Sequence, residues 1–299
     1  MVRDGRVRVA TDERGRKALT GAAGAEPLVL GSGDAEAVWR RHGMTSGKLV
    51  RALGAMPSLC WVHTDTAGVD DLPLAELAAR GVTVTKTSAY TEAVAEWIAT
   101  AVLLAAKGVP AYVRASDARR WLPEAGSPRL VAGSAALLVG NGAIGSYAGA
   151  MLRGMGVRVH TASRGSAPWR PCLGNTDWLI LACPLTSETR HLIGAAALAE
   201  LKPGAWVVNV ARGGVLDQRA LADALDAGGP GGAVLDAFDT EPLPPGSPLW
   251  GRPNVVVLPH DAWRAEGAGR RQTADFADQL RRYREGRPLR RAVDACAGY

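Results

Sequence analysis

With 299 residues the chain has room for about two domains of roughly 150 residues each, which excludes a peptide or a small disulfide-stapled scaffold. Its 47% hydrophobic and 21% charged residues, at a mean hydropathy of -0.01, are those of a globular protein with a real core and exclude a disordered chain. A net charge of +6 and a pI near 9.4 suit an anionic ligand without calling for nucleic acid.

The four cysteines, Cys60, Cys172, Cys183 and Cys296, form no CxxC pair and no metal-like spacing. Neither a metal site nor a disulfide framework is expected, and a reducing cytoplasm fits best. The N-terminal stretch MVRDGRVRVATDERGRK is charged throughout and has no apolar h-region. The longest apolar run, 98–106, is too short to span a bilayer, so neither export nor a membrane partner is expected.

In chain order, VRVA (7–10), LVLG (28–31), LCWVHT (59–64) and VTVT (82–85) read as short strands, with a helix over 74–80. The stretch TEAVAEWIATAVLLAAK (91–107), rich in Ala and Leu and free of Gly and Pro, predicts the strongest helix. Residues 123–133, PEAGSPRLVAG, read as a loop. From Ala135 onward the apolar runs AALLV, VRVHTA, WLILA, AWVVNV, AVLDAF and VVVLPH alternate with helical patterns such as AIGSYAGAMLRGM. Near-continuous Val, Leu, Ile and Ala is the pattern of strands buried on both faces, and the alternation predicts a parallel sheet with helices on each side. A last helix over 274–283 runs into a basic tail, RRYREGRPLRR, whose simplest reading is a solvated helix end.

The strand AALLV leads directly into Gly140-Asn-Gly142-Ala143-Ile144-Gly145 and then a helix, which is GxGxxG in strand, turn and helix context. Gly140 would allow the tight turn, Gly142 the close approach of a pyrophosphate, and Gly145 close packing of helix on strand. The helix N-terminus would offer N–H groups and a positive dipole end to the phosphates. About 18 residues further on, an NAD-preferring fold usually carries a carboxylate for the ribose 2′-hydroxyl. Here the chain has Ser163-Arg164, a hydroxyl and a guanidinium fit for a 2′-phosphate, so NADP is the expected cofactor, with NAD as the alternative.

Three more segments follow: NVARGGVLD from Asn209, LDAFDTEPLP from Leu235, and Leu258-Pro-His260. With the GxGxxG, and with AGVD at 67–70, VAE at 94–96, PLTSET at 184–189 and LADAL at 221–225, they resemble the D-2-hydroxyacid dehydrogenase family. The likeness runs from about residue 58 to the end. It implies a two-lobed α/β fold: a central Rossmann dinucleotide-binding domain with a parallel sheet (91–264), inserted in a smaller flavodoxin-like substrate-binding domain (1–90 and 265–299). It implies an oxidoreductase that reduces a 2-oxo acid to a D-2-hydroxy acid.

The residues suit that chemistry. Arg212, just past a buried strand, has a planar fork able to hold a carboxylate and polarise the adjacent carbonyl. His260 also follows an apolar strand and carries the side chain best suited to proton exchange near neutrality. Glu241 would hydrogen-bond the imidazole, orient it and favour its protonated form. The resemblance further implies cofactor contacts from Ala143, Ile144, Cys183, Pro184, Thr189, Val210 and Asp236, the last on the nicotinamide carboxamide, and substrate contacts from Ala67, Gly68, Tyr90 and Trp263.

Taken singly, Arg212 reads equally well as a surface residue, Glu241 as a loop carboxylate and His260 as a satisfied core histidine. Trp97 follows VAE where many relatives have His, and Asp261-Ala-Trp263 replaces the usual small apolar residues after His260. The first 57 residues match the family poorly. The expected partner is a small 2-oxo or 2-hydroxy acid, and the expected assembly a homodimer. The competing expectation is a dinucleotide-sensing regulator of the same fold with no catalysis.

Overall fold

The computed structural model describes residues 5–22, 24–123, 128–165 and 168–299, so part of the expected 123–133 loop lies outside the described residues. The chain divides into two compact units, one made of 1–90 with 265–299 and the other of 91–264.

The first unit begins β1 (Val7–Thr11), α1 (Glu13–Leu19), β2 (Ala25–Val29), β3 (Ala37–Arg40), α2 (Ser46–Leu53), β4 (Trp61–Thr64), α3 (Leu74–Ala79) and β5 (Thr83–Lys86). Its strands are all parallel, in the order β2-β1-β3-β4-β5, which is the flavodoxin-like arrangement. Alternation divides them between two cores. Ala10, Val38, Val62 and Val84 pack with Leu49, Leu53 and Leu77 of the helices, while Val9, Trp39 and Trp61 face the other side.

Two elements were not legible as strands where they fall. β2 starts three residues before the expected LVLG and contains Pro27, which is tolerated because β2 is an edge strand. β3 ends in Arg40, a residue only 6% exposed whose charge is met by Asp71, Thr64 Oγ1 (3.2 Å) and the Met44 carbonyl (3.1 Å). With only four residues, the last of them an arginine, AVWR offers too short an apolar run to stand out as a strand in sequence.

The second unit runs α4 (Thr91–Ala106), α5 (Val109–Asp117), β6 (Ala135–Val139), α6 (Ala143–Gly154), β7 (Arg158–Ala162), β8 (Trp178–Leu181), α7 (Ala195–Ala199), β9 (Trp206–Asn209), α8 (Gln218–Asp226), β10 (Gly232–Leu235) and β11 (Val255–Val257). The six parallel strands lie in the order β11-β10-β9-β8-β6-β7. Leu138, Ile180, Val208 and Val234 face Ile98 and Val102 of α4; Leu137, Leu179, Val207 and Leu235 face Leu198, Leu221 and Leu225 of α7 and α8. Each such side chain contributes about 1.5–3 kcal/mol on burial. No single helix among the described residues is long and apolar enough to cross a membrane.

The chain then returns to the first unit with α9 (Ala268–Arg284), which starts six residues earlier than the apolar pattern indicates because its first turns are polar. Phe276 stacks on Trp39 (centroids 4.5 Å apart) and on Trp61 (5.4 Å). The basic tail is exposed to half-buried, in keeping with a solvated helix end, and ion pairs tie it down at several points. Arg291 pairs with Asp275, Arg281 and Arg282 pair with Asp278, and Ala292 bridges Thr85 antiparallel to β5.

Candidate active site

All the strand-end loops of interest in the second unit lie at the carboxyl edge of its sheet, where α/β proteins bind ligands. β6 lies between β7 and β8, so the chain reverses direction across the sheet beside the Gly140–Gly145 turn.

The glycines have distinct steric roles there. Gly140 has φ +111, and a Cβ on it would lie 2.5 Å from the Ala182 carbonyl oxygen. A Cβ on Gly145 would lie 1.9 Å from the Gly140 oxygen, so the start of α6 can approach the turn only without a side chain. A Cβ on Gly142 would meet nothing within 4 Å, and no side chain caps α6 at this N-terminus. Open space beside uncapped amides of a twelve-residue helix fits a pyrophosphate, with Ala143 and Ile144 in the first turn.

Beyond β7, Ser163 and Arg164 are exposed, and Arg164 Nη2 donates to Glu188 Oε2 at 3.0 Å. Beyond β8, Cys183 is buried, which pushes its thiol up to about 11. Pro184 and Thr189 close their own loop, since Thr189 Oγ1 donates to the Pro184 carbonyl (2.7 Å) and accepts from Thr186 N–H (2.8 Å). Thr189 therefore shapes the loop with the hydroxyl that the resemblance gives to the cofactor.

β9 leads into Asn209, Val210 and Arg212. Asn209 is fully buried, and its amide spans the turn, accepting from Ala211 N–H and donating to the Arg212 carbonyl, both at 3.0 Å. A Cβ on Gly213 would lie 2.0 Å from the Phe238 carbonyl carbon, so this loop lies directly on the one after β10. Arg212 Nη1 donates to the Ala211 carbonyl (2.8 Å), and its charge acts on Glu241.

Glu241 accepts from Phe238 N–H (2.9 Å) and from His260 Nδ1–H (2.8 Å to Oε2). Burial alone would raise its carboxyl. The His260 and Phe238 hydrogen bonds and the charges of His260 and Arg212 outweigh that and hold it below the usual range. His260 follows β11 with φ +55, a left-handed conformation uncommon for a residue with a side chain. Two neighbours hold it there. Asp236, 3% exposed, accepts from Asp261 N–H (2.8 Å) and Ala262 N–H (3.1 Å), while Trp263 Nε1 donates to the His260 carbonyl (3.0 Å). Burial pushes the Asp236 carboxyl up, offset in part by those two donors and by the charge of His260.

In the first unit, Ala67 and Gly68 lie on the turn after β4, where Thr66 Oγ1 donates to the Gly68 carbonyl (2.7 Å). Tyr90 is buried, and burial raises its phenol. Among the described residues no group of three or more His, Cys, Asp or Glu could hold a metal ion.

Sequence reasoning missed Asn209 as the brace of the Arg212 turn, Asp236 as the clamp on the His260 loop, and Glu188 as the partner of Arg164. Each stood inside a quoted motif, but nothing in the motif indicates its partner.

A parallel sheet carrying a glycine-rich turn, with an imidazole–carboxylate pair and an arginine on its strand-end loops, fits a dinucleotide-dependent oxidoreductase. The family model for the NAD binding domain of D-isomer specific 2-hydroxyacid dehydrogenases matches residues 99–262, more than half of the chain. A glyoxylate reductase of Korarchaeum cryptofilum is 33% identical over 249 residues, covering 78% of this chain and 75% of that protein. An NADPH-dependent glyoxylate/hydroxypyruvate reductase of Sinorhizobium meliloti, solved with NADP and sulfate, aligns with a TM-score of 0.83 at 28% identity, over 98% of this chain and all of that one. A D-isomer specific 2-hydroxyacid dehydrogenase of Xanthobacter autotrophicus, solved with NADPH and MES, gives 0.81 at 28% identity over 99% of this chain and all of that one. The chain belongs to the D-isomer specific 2-hydroxyacid dehydrogenase family. It is an NAD(P)-dependent oxidoreductase of 2-hydroxy acids, and the regulator reading is not favoured.

Proposed function

We propose that the chain reduces a 2-oxo acid, glyoxylate- or hydroxypyruvate-like or larger, to the corresponding 2-hydroxy acid, of D configuration where the product is chiral, with NADPH preferred over NADH. The observation that carries the reading is the hydrogen-bonded Glu241–His260 pair under the charge of Arg212, on strand ends of the sheet that bears the Gly140–Gly145 turn.

Arg212 holds the substrate carboxylate and polarises the neighbouring carbonyl. His260, its Nδ1 committed to Glu241, gives a proton to the carbonyl oxygen from Nε2. When bound, the nicotinamide supplies the hydride that reaches the keto carbon, so that C=O becomes CH–OH with one hydride and one proton. Asn209 and Asp236 hold Arg212 and His260 in place through the backbone. The unit made of 1–90 and 265–299 is read as the substrate-binding domain, with Ala67, Gly68 and Tyr90 as its substrate contacts. Trp263 limits the substrate side chain.

The preference for NADPH rests on Arg164 and on the absence of a carboxylate at Ser163-Arg164, and the two solved relatives hold NADP or NADPH. Four free cysteines suit a reducing cytoplasm. A homodimer is proposed on the family resemblance alone, and light scattering of the purified chain is the check.

The reading is tested by following NADPH and NADH oxidation by the purified chain with glyoxylate, hydroxypyruvate and 2-oxo acids of larger or charged side chain. Turnover with at least one of these 2-oxo acids, faster with NADPH, is expected. NADPH binding with no oxidation across the panel returns the regulator.

A further inference from the structure

Arg164 and Glu188 stand on different strand ends. Arg164 is two residues past the end of β7, Glu188 is seven past the end of β8, and β7 and β8 flank the strand that carries the glycine-rich turn. Their side chains, 51% and 70% exposed, nevertheless meet through a 3.0 Å ion pair. Glu188 does not reach Arg164 from a loose loop. Thr186 N–H donates to Thr189 Oγ1 (2.8 Å), Thr189 Oγ1 to the Pro184 carbonyl (2.7 Å), and Arg190 N–H to the Thr186 carbonyl (3.0 Å), so Glu188 sits on a turn closed on either side of it.

Resting on the reading of Arg164 as the 2′-phosphate contact, we propose that Glu188 is a specificity-determining residue that competes with that phosphate for Arg164. A guanidinium has donors enough for two anions but only one positive charge to share between them. A 2′-phosphate, near −2 at neutral pH, approaches an arginine already half neutralised and a carboxylate that repels it. A ribose 2′-hydroxyl meets no such opposition, and a carboxylate is the group that this fold ordinarily uses to accept from it. Glu188 therefore narrows the margin by which the site prefers NADP over NAD, and the chain carries its own counterweight to Arg164.

The test is a set of titrations of NADP+ and NAD+ into the full chain as wild type, Glu188→Gln, Arg164→Ala and the double variant. Because both side chains are exposed, the expected effect is modest: Glu188→Gln tightens NADP+ about two- to fivefold and leaves NAD+ unchanged or weaker. The gain disappears in the Arg164→Ala background and shrinks as salt is raised. If Glu188→Gln leaves NADP+ unchanged or weakens it while Arg164→Ala still costs NADP+ selectively, the competition is refuted and the Arg164 reading stands. If Arg164→Ala weakens both cofactors equally, the Arg164 reading itself has failed and the competition falls with it.

Discussion

His260 Nδ1 lies 2.8 Å from one oxygen of Glu241 and 3.0 Å from the other, and the carboxylate is anchored from behind by the Phe238 amide. This leaves Nε2 as the imidazole atom available to hand over a proton. Replacing His260 by Gln keeps a hydrogen-bonding side chain but removes the proton donor, and kcat should fall at least about 10²-fold. A rate within a few-fold of wild type would remove His260 from the mechanism.

Glu241 supplies a pH signature. Its carboxyl is held below its ordinary range, so the ionised pair is fully present above the usual glutamate pKa and is lost as pH falls through the lowered folded value. The profile of kcat/KM should therefore carry an acid limb in the region below about pH 4.5 that Glu241→Gln abolishes, provided rates are read faster than the protein unfolds. Persistence of the same limb in the variant would assign it elsewhere.

Asp236 spends both carboxylate oxygens on the amides of Asp261 and Ala262, next to a histidine with φ +55. Asp236→Ala frees that loop, and kcat should drop about 10- to 100-fold with a smaller change in KM. Asp236→Asn retains one acceptor and should recover part of the loss. Equal damage in both variants would point to a direct contact with the reactants.

His63 and Asp65 form a second pH signature, in the first unit. Both side chains are wholly buried; burial lowers His63 to about 4 and raises Asp65 to about 6. Neutral His63 adds a stability that is lost as pH falls from its unfolded value toward 4. Asp65 works in the opposite direction, costing stability as pH rises from its unfolded value through 6. The two slopes offset each other over one window. Asp65→Asn, which can still accept from Trp39 Nε1 (2.7 Å in the parent), should raise stability at pH 7–8 and leave a steeper loss on acidification. Urea unfolding from about pH 4 to pH 8 reads both effects.

Phe276 is fully buried between Trp39 and Trp61 and carries the C-terminal helix onto the first unit. Phe276→Ala should cost about 3–5 kcal/mol in the unfolding transition of that unit. A loss under 1 kcal/mol would mean that the stack is not what holds α9.

The second unit was almost wholly legible because its strands are runs of Val, Leu, Ile and Ala buried on both faces, and its glycine turn has a steric need for each Gly at 140 and 145. β3 was not, because a four-residue run that ends in Arg40 is too short an apolar signal. The candidate-site residues were legible as types: Arg212, Glu241 and His260 follow strands of the sheet, and Ser163-Arg164 stand just past β7. Partnerships were not. That Asp236 holds the amides of residues 25 and 26 positions away, or that Glu188 meets Arg164, follows only from how separate loops converge at one sheet edge.

The most direct test of the account is chiral analysis of the product formed when the chain consumes NADPH with hydroxypyruvate. One D-2-hydroxy acid is expected per NADPH consumed, with the rate cut at least about 10²-fold by Arg212→Ala or His260→Gln. An L product, or NADPH bound and never oxidised, would contradict it.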